Sequence, residues 1–364
     1  NGDFVLTEAH NAQFGATGLP VITSAVTIEG HGATIRRSNA SGTPDFRILA
    51  VDANGALTLR DTTVTNGRSH GYPTSGAGIY AQGQLNIAGS TITQNNALVW
   101  SNWGEGGGVF AGGPTTITNS VISYNATVGN SADYGDGGGI AIGRDAEATI
   151  TGSTILGNHA SGGYSANGGG IFVWGEVTIV NSLIAENVSH GSEDGARGGG
   201  IAVIGRATIS GSTIRDNVIY SFYEYNGGEW PGYGGGLANG GVTTVTNTTI
   251  SGNTAEGPGD GIFNLPFGEL TVVQSTITGN HGSGIGTGPT VFTENCSTTT
   301  LRGTIISGNG AEEIHFVPTP DDSWDCFPYH DAVFNRDSFN VFGHSGNAGL
   351  VGLTPGATDI VPTV

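Results

Sequence analysis

The stretch GGGIAIGRDAEATITGSTILGN, residues 137–158, decides the fold. It holds three short β-rich runs, Ile140-Ala141-Ile142, Ala148-Thr149-Ile150 and Ser153-Thr154-Ile155, separated by turns that contain glycine or Asp and closed by Gly157-Asn158. None is long enough to close a core by itself. The same pattern recurs on both sides. The S-T-I-x-x-N motif ends at Asn95, Asn125, Asn158, Asn187, Asn217, Asn253, Asn280 and Asn309, and a shortened first copy ends at Asn66. Successive Asn residues lie 27 to 36 positions apart, most often 29 or 30. A glycine cluster leads into Val109, Ile140, Ile171, Ile201 and Leu237, with degenerate copies before Ile79, Ile262 and Ile285.

Repeats of this length that cannot bury an apolar face alone do so by stacking. Alternating Ile, Val and Leu then form one continuous column, and the glycine and Asn residues take the corners. Parallel connections are overwhelmingly right-handed. The expected fold is therefore all-β, a right-handed parallel β-helix (a solenoid) with three parallel sheets and about nine or more coils. Residues 1–60 read as an N-terminal cap with irregular first coils, 61–310 as regular repeats, and 311–364 as a C-terminal capping segment. Each Asn side chain is expected to bond the Asn of the next coil, a structural role.

Composition agrees. Glycine supplies 66 of 364 residues, charged residues only 11%, and no apolar run approaches the roughly 20 residues of a membrane helix. The net charge is −19 and every basic residue is Arg, which disfavours a phosphate backbone as partner. Cys296 and Cys326 fit a disulfide in an oxidising, extracellular setting, worth roughly 3 kcal/mol by chain entropy. A chain opening at Asn1 without Met and closing on VPTV reads as a piece of a longer secreted or surface precursor.

The alternation of GGGI with STIxxN, preceded by LPVITSAVTIEGHGATI and followed by NVFGHSGNAGLVG, resembles the bacterial secreted or surface-anchored β-helix repeat proteins. It is similar, more distantly, to the pectate-lyase-like superfamily and to the chlamydial polymorphic outer-membrane proteins. The first resemblance implies fold and location. The second implies a polysaccharide lyase using calcium and an Arg or Lys base, and this chain has no Lys.

Length variation concentrates between each Asn and the next glycine cluster, in copies such as HASGGYSAN and the long VIYSFYEYNGGEWPGY. Stacked coils bring these connections to one edge. Trp100, Trp103, Tyr134, Tyr164, Tyr220, Tyr223, Tyr225, Trp230 and Tyr233 fall there, a possible ring platform for sugars, with Tyr72 beside them. The catalytic candidates on the same edge are His159, His190, Glu193, Asp194, Arg197 and Glu224, accompanied by His70, Arg68, Glu105, Asp133, Asp136 and Glu229. A second candidate surface is the outward side of the strand after each glycine cluster, with Tyr80, Phe110, Phe172, Trp174 and Phe263 and flanking Arg144, Glu176 and Arg206. No cofactor is demanded; calcium is the one candidate, either with a uronate beside an Arg or His of the loop edge or at Asp321, Asp322 and Asp325.

Two functions fit these residues. One is an extracellular surface protein presenting an aromatic edge to a polysaccharide, a cell-surface glycan or other subunits of a surface assembly. The other is a polysaccharide-degrading enzyme, a lyase before a glycoside hydrolase. Two ionisable groups converging in a cleft with perturbed pKa values would mark the enzyme.

Overall fold

The computed structural model describes residues 2–70, 73–99, 103–130, 133–192, 195–221, 224–225, 228–229, 232–287, 297–310, 312–316, 333–336, 340–343, 350–351 and 357–360. It is an all-β parallel solenoid of about nine turns, with no helix among the described residues. No helix there is long and apolar enough to cross a membrane.

One coil shows the plan: Ile140–Ile142, Glu147–Thr151, Thr154–Leu156, His159–Gly162 and Ser165–Asn167, followed by Ile171–Val173 of the next coil. The three expected strand columns are present, but their grouping differs from the expected three sheets. The columns of Glu147–Thr151 and Thr154–Leu156 join into one bent 21-stranded sheet. Strands following the glycine clusters form an 11-stranded sheet. The connections expected to be loops supply two more parallel sheets, of six and four strands. The short polar runs after each Asn carry no strong β-pattern; stacking on equivalent neighbours makes them strands.

Ile, Val and Leu of three columns fill the core in register, as in the row Ile117, Ile150, Ile179 and Ile209. Buried Asn residues line one corner as a hydrogen-bonded ladder. Asn158 Nδ2 donates to Asn187 Oδ1 at 3.0 Å, and Asn187 Nδ2 to Asn217 Oδ1 at 2.9 Å. The Ser of S-T-I forms a second ladder, in which the Ser153 amide donates to Ser182 Oγ at 3.1 Å and the Ser182 amide to Ser212 Oγ at 3.1 Å. These side chains satisfy the buried amides of turns that no strand pairing reaches.

The six-stranded and four-stranded sheets lie back to back as a thin fin. Small residues fill most of the space between them, Ala97, Thr127, Ala160 and Ser189 on one side and Gly104, Gly135, Ala166 and Ala196 on the other, with Val99 facing Gly104 and Ile219 facing Gly232. A Cβ on Gly135 would lie 2.0 Å from the Ser161 carbonyl oxygen, so no larger residue fits. The chain then turns back toward the 11-stranded sheet at Gly137 (φ 61°), where a Cβ would approach the Ile140 carbonyl oxygen to 2.4 Å. This tight turn makes a concave corner between the fin and the sheet.

At the N-terminal end, Asp3–Leu6 pairs with the long strand Ala25–Arg37. The sheets also run into the segment read as a C-terminal cap: Thr298–Arg302 pairs with Val333–Arg336, and Ile305–Ser307 with Val341–Phe342. Cys296 and Cys326, and with them the disulfide reading, lie outside the described residues, as do Asp321, Asp322 and Asp325.

Candidate functional site

The residue just before each glycine cluster lies at the mouth of the concave corner. Register aligns these residues in one row: Glu105 opposite Asp136, Asp136 opposite Asn167, Asn167 opposite Arg197, and Arg197 bridged to Tyr233. Adjacent members are about 4.8 Å apart along the axis. The row crosses five coils and changes from acidic through amide to basic and aromatic.

Asp136 is only 7% exposed, and its Oδ1 accepts from the Asn167 amide at 3.0 Å and from Asn167 Nδ2 at 2.8 Å. Burial raises its pKa to about 7; the Asn167 bonds oppose that shift, the neighbouring Glu105 charge adds to it, and Arg197 counters it weakly. Burial also raises the Glu105 carboxyl. Arg197 belongs to the other end of the row, where it offsets part of the burial-driven rise at the Tyr233 hydroxyl.

The strand Ser165–Asn167 carries a further peculiarity. Ser165 is 1% exposed and Asn167 7% exposed, yet Ser165 Oγ and Asn167 Oδ1 have no hydrogen-bond partner. Both project from the same face, because Ala166 between them points into the fin. Buried polar atoms are nearly always bonded, so an orphan pair marks a place where water or a ligand completes the network. Tyr134, opposite Ser165 in register, packs on Tyr164 with ring centroids 5.0 Å apart.

The far wall of the corner is the outward row of the 11-stranded sheet. Here the expected exposed ring surface is largely a satellite core: Tyr80 and Phe263 are buried, and Phe172 is 2% exposed. Phe172 packs with Ala141, Ala202, Phe110 and Trp174, while Tyr80 stacks on Phe110 at 5.1 Å. Fin and sheet meet where Tyr233 stacks on Phe263 at 4.6 Å. The two candidate surfaces of the sequence are thus two walls of one groove. Trp174 remains half-buried under the Arg144 guanidinium, 4.3 Å from its ring centroid, in a separate cleft of about 430 Å³ that Glu176 and Arg206 also line.

His159 and His190 sit on the opposite side of the fin, outside the groove. His159 lies between Ala126 and Val188 in register, and His190 between Ser161 and 46%-exposed Tyr220. Burial, and secondarily the charge of His190, lowers the His159 pKa. Of the catalytic candidates whose side chains are described, Arg197 is the one placed in the row. Glu193 and Asp194 lie outside the described residues, as do Tyr72, Trp100, Tyr223 and Trp230. Trp103 begins the strand Trp103–Glu105, and Glu224–Tyr225 pairs antiparallel with Gly228–Glu229; the side chains of these hairpin residues and of Trp103 are outside the description.

The right handed beta helix region family matches residues 138–319, half of the chain. The chain belongs to that family. No curated protein and no solved structure shows a significant match.

The matched part of this β-helix protein contains Ser165, Asn167, Arg197 and Tyr233, while Glu105 and Asp136 precede it. It also contains a cleft of about 530 Å³ near the C-terminal coils that the sequence reading did not single out. There His315 Nδ1 lies 2.5 Å from Glu312 Oε2, and His281 Nδ1 lies 2.8 Å from Thr254 Oγ1. Thr254, Glu256, Asp260 and Ser283 line the same cleft. Asn167 and Ser165 were missed as well. Aligning the copies on the glycine cluster, as GE-GGG, YGD-GGG, SAN-GGG, GAR-GGG and PGY-GGG, exposes the row directly.

Proposed function

We propose that this protein is an extracellular, surface-displayed β-helix that binds a polysaccharide or cell-surface glycan in the groove between the fin and the 11-stranded sheet. The observation that carries the reading is the pair of buried, unpartnered oxygens, Ser165 Oγ and Asn167 Oδ1, beside the Tyr134–Tyr164 rings. Sugars supply hydroxyl donors for such acceptors and C–H faces for such rings, and a row repeating about every 4.8 Å suits an extended chain. Extracellular display agrees with the −19 charge and the two cysteines.

A second reading, a glycan-degrading enzyme at the same groove, is favoured by one observation. Glu105 and Asp136 are adjacent carboxyls, both with raised pKa, and Asp136 reaches about 7. A carboxylic acid kept protonated near neutrality beside a second carboxyl is the pairing that glycoside hydrolases use.

The test is a panel of neutral, amino and uronic-acid polysaccharides, with and without calcium, scored for binding, reducing ends and unsaturated ends. Binding without cleavage, abolished in a Tyr134→Ala/Tyr164→Ala double variant, is the expected result. New reducing ends lost in Asp136→Asn would establish the hydrolase instead. Binding to none of the panel would sink both.

A further inference from the structure

The groove has a polarity that selects the class of glycan. Its acidic end is built from Glu105 and Asp136 on adjacent coils, with the orphan acceptors Ser165 Oγ and Asn167 Oδ1 on the neighbouring strand. Every one of these side-chain oxygens is able to accept a hydrogen bond. Asn167 Nδ2 is already spent on Asp136 Oδ1, at 2.8 Å, and Arg197 stands one coil further along. From the geometry we infer that the groove takes a glycan of amino sugars, with a ring ammonium lodged over Glu105 and Asp136 and neighbouring hydroxyls donating to Ser165 and Asn167. This inference rests on the glycan-binding reading above and narrows it.

Three comparisons favour an ammonium. A uronate carboxylate in the same position would meet two acidic side chains, and the one donor there is the proton that Asp136 gives up as pH rises through about 7. A calcium ion needs six to eight oxygens, whereas among the described residues no three Asp, Glu, His or Cys side chains converge to hold a metal. An alkylammonium carries three N–H donors and no acceptor, which matches two carboxylates and one further oxygen. A lysine side chain has the same head group, but the orphan oxygens and the Tyr134–Tyr164 pair provide for ring hydroxyls and sugar faces that a lysine lacks.

The test is calorimetric titration of the full chain with hexamers of glucosamine, N-acetylglucosamine and galacturonate, and with oligolysine. Asp136→Asn and Glu105→Gln serve as near-isosteric variants, each checked for an unchanged β-sheet spectrum. The glucosamine hexamer should bind at least about ten-fold more tightly than its N-acetylated form, as expected for charge-assisted over neutral hydrogen bonds. Either variant should remove most of that preference. Glu105→Gln, at the half-buried member, keeps the test open if Asp136→Asn fails to fold. Equal binding of both hexamers, or tighter binding of galacturonate, overturns the inference and leaves glycan binding intact. Oligolysine binding that is lost in the variants, with no sugar bound, overturns it in favour of a basic peptide. No binding of any sugar removes the parent reading as well.

Discussion

Replacing Asn187 with Ala tests whether the Asn ladder holds the coils together. The Asn187 side chain is fully buried and makes four hydrogen bonds. Its Oδ1 accepts from the Asn158 amide at 2.9 Å and from Asn158 Nδ2 at 3.0 Å; its Nδ2 donates to the Ile155 carbonyl at 3.0 Å and to Asn217 Oδ1 at 2.9 Å. Three of the four partners have other bonds to fall back on. Asn158 Nδ2 also donates to Ile122 O, and Asn217 Oδ1 also accepts from the Asn187 amide, which Ala retains. Only the Asn158 amide loses the group that satisfied it, because the Ile155 carbonyl keeps its place in the parallel ladder with Leu183–Ala185. One buried donor left short at about 1–3 kcal/mol and three further lost hydrogen bonds at about 0.5–1.5 kcal/mol each give a loss of about 2.5–7.5 kcal/mol. Ser212→Ala strips an acceptor from one amide, that of Ser182, and should cost about half as much. Guanidinium unfolding of the two variants against the parent measures both, and hydrogen exchange at residues 155–158 locates the damage. A loss for Asn187→Ala below about 1 kcal/mol, or no larger than that for Ser212→Ala, would refute the reasoning.

Asp136 predicts an inverted pH dependence. Its carboxyl rises from 3.8 to about 7 on folding, mainly through burial, so the folded state holds the proton more tightly. Its contribution is intact below pH 3.8, is lost as pH rises to about 7, and stays lost above, for a total of about 4 kcal/mol. Asp136→Asn should therefore be more stable than the parent at pH 8 and closer to it at pH 4; equal stability at both would show the carboxyl to be solvated. For His159, a proton NMR titration should find the ring below its free value of 6.5, and His190→Gln should move it part of the way back. A His159 midpoint unmoved by that change would show that burial acts alone. The Arg47 guanidinium is buried over the Tyr80 ring at 4.8 Å with Nε and Nη1 unpartnered, and burial lowers its pKa to about 10. Arg47→Met keeps the stem and removes the desolvated charge, so the melting temperature should hold or rise. A loss of unfolding free energy beyond about 3 kcal/mol, measured by denaturant titration, would mean that the bond to the Pro73 carbonyl, at 2.5 Å, outweighs desolvation.

The solenoid was legible because its determinants are local and repeated: an aliphatic pair in each short strand, a glycine at each turn, an Asn at each corner. The Ser ladder was equally present in S-T-I but is silent to pattern reading, since an exposed Ser and a buried one look alike. The two extra sheets were not legible. Runs such as HASG and SAN have little strand propensity, and their pairing comes from neighbours about 30 residues away. The outward rings of the 11-stranded sheet read as a surface because alternation puts Phe172 outside the core, and only stacking of the coils shows that Ala141, Ala202, Phe110 and Trp174 bury it. His159 and Arg197 fall on one edge of the sequence, yet the fin separates them onto opposite faces, a consequence of strand alternation that begins again after each turn.

Two columns of this chain behave in opposite ways, and that contrast locates function. At the corner column every coil from Asn95 to Asn309 carries the same residue, and each from Asn95 to Asn280 makes the same two bonds to the next, with Glu313 taking the last place. A position whose job is to satisfy backbone amides at a fixed spacing has one solution, and the repeat supplies it each time. At the column before the glycine cluster the residues are Glu, Asp, Asn, Arg and Tyr in succession, although the backbone there is as regular. Stacking does not require that variety. Like residues would ladder there as Asn does elsewhere, whereas the row sets a half-buried acid beside a buried one at a cost in stability and leaves Asn167 Oδ1 without a partner. Groups that weaken the fold where the scaffold would accept something quieter are the ones expected to touch a ligand. The row is thus the part of the solenoid that the solenoid itself does not explain, and the acid end of it, at Glu105 and Asp136, is where a bound ammonium would return the stability that burial removes.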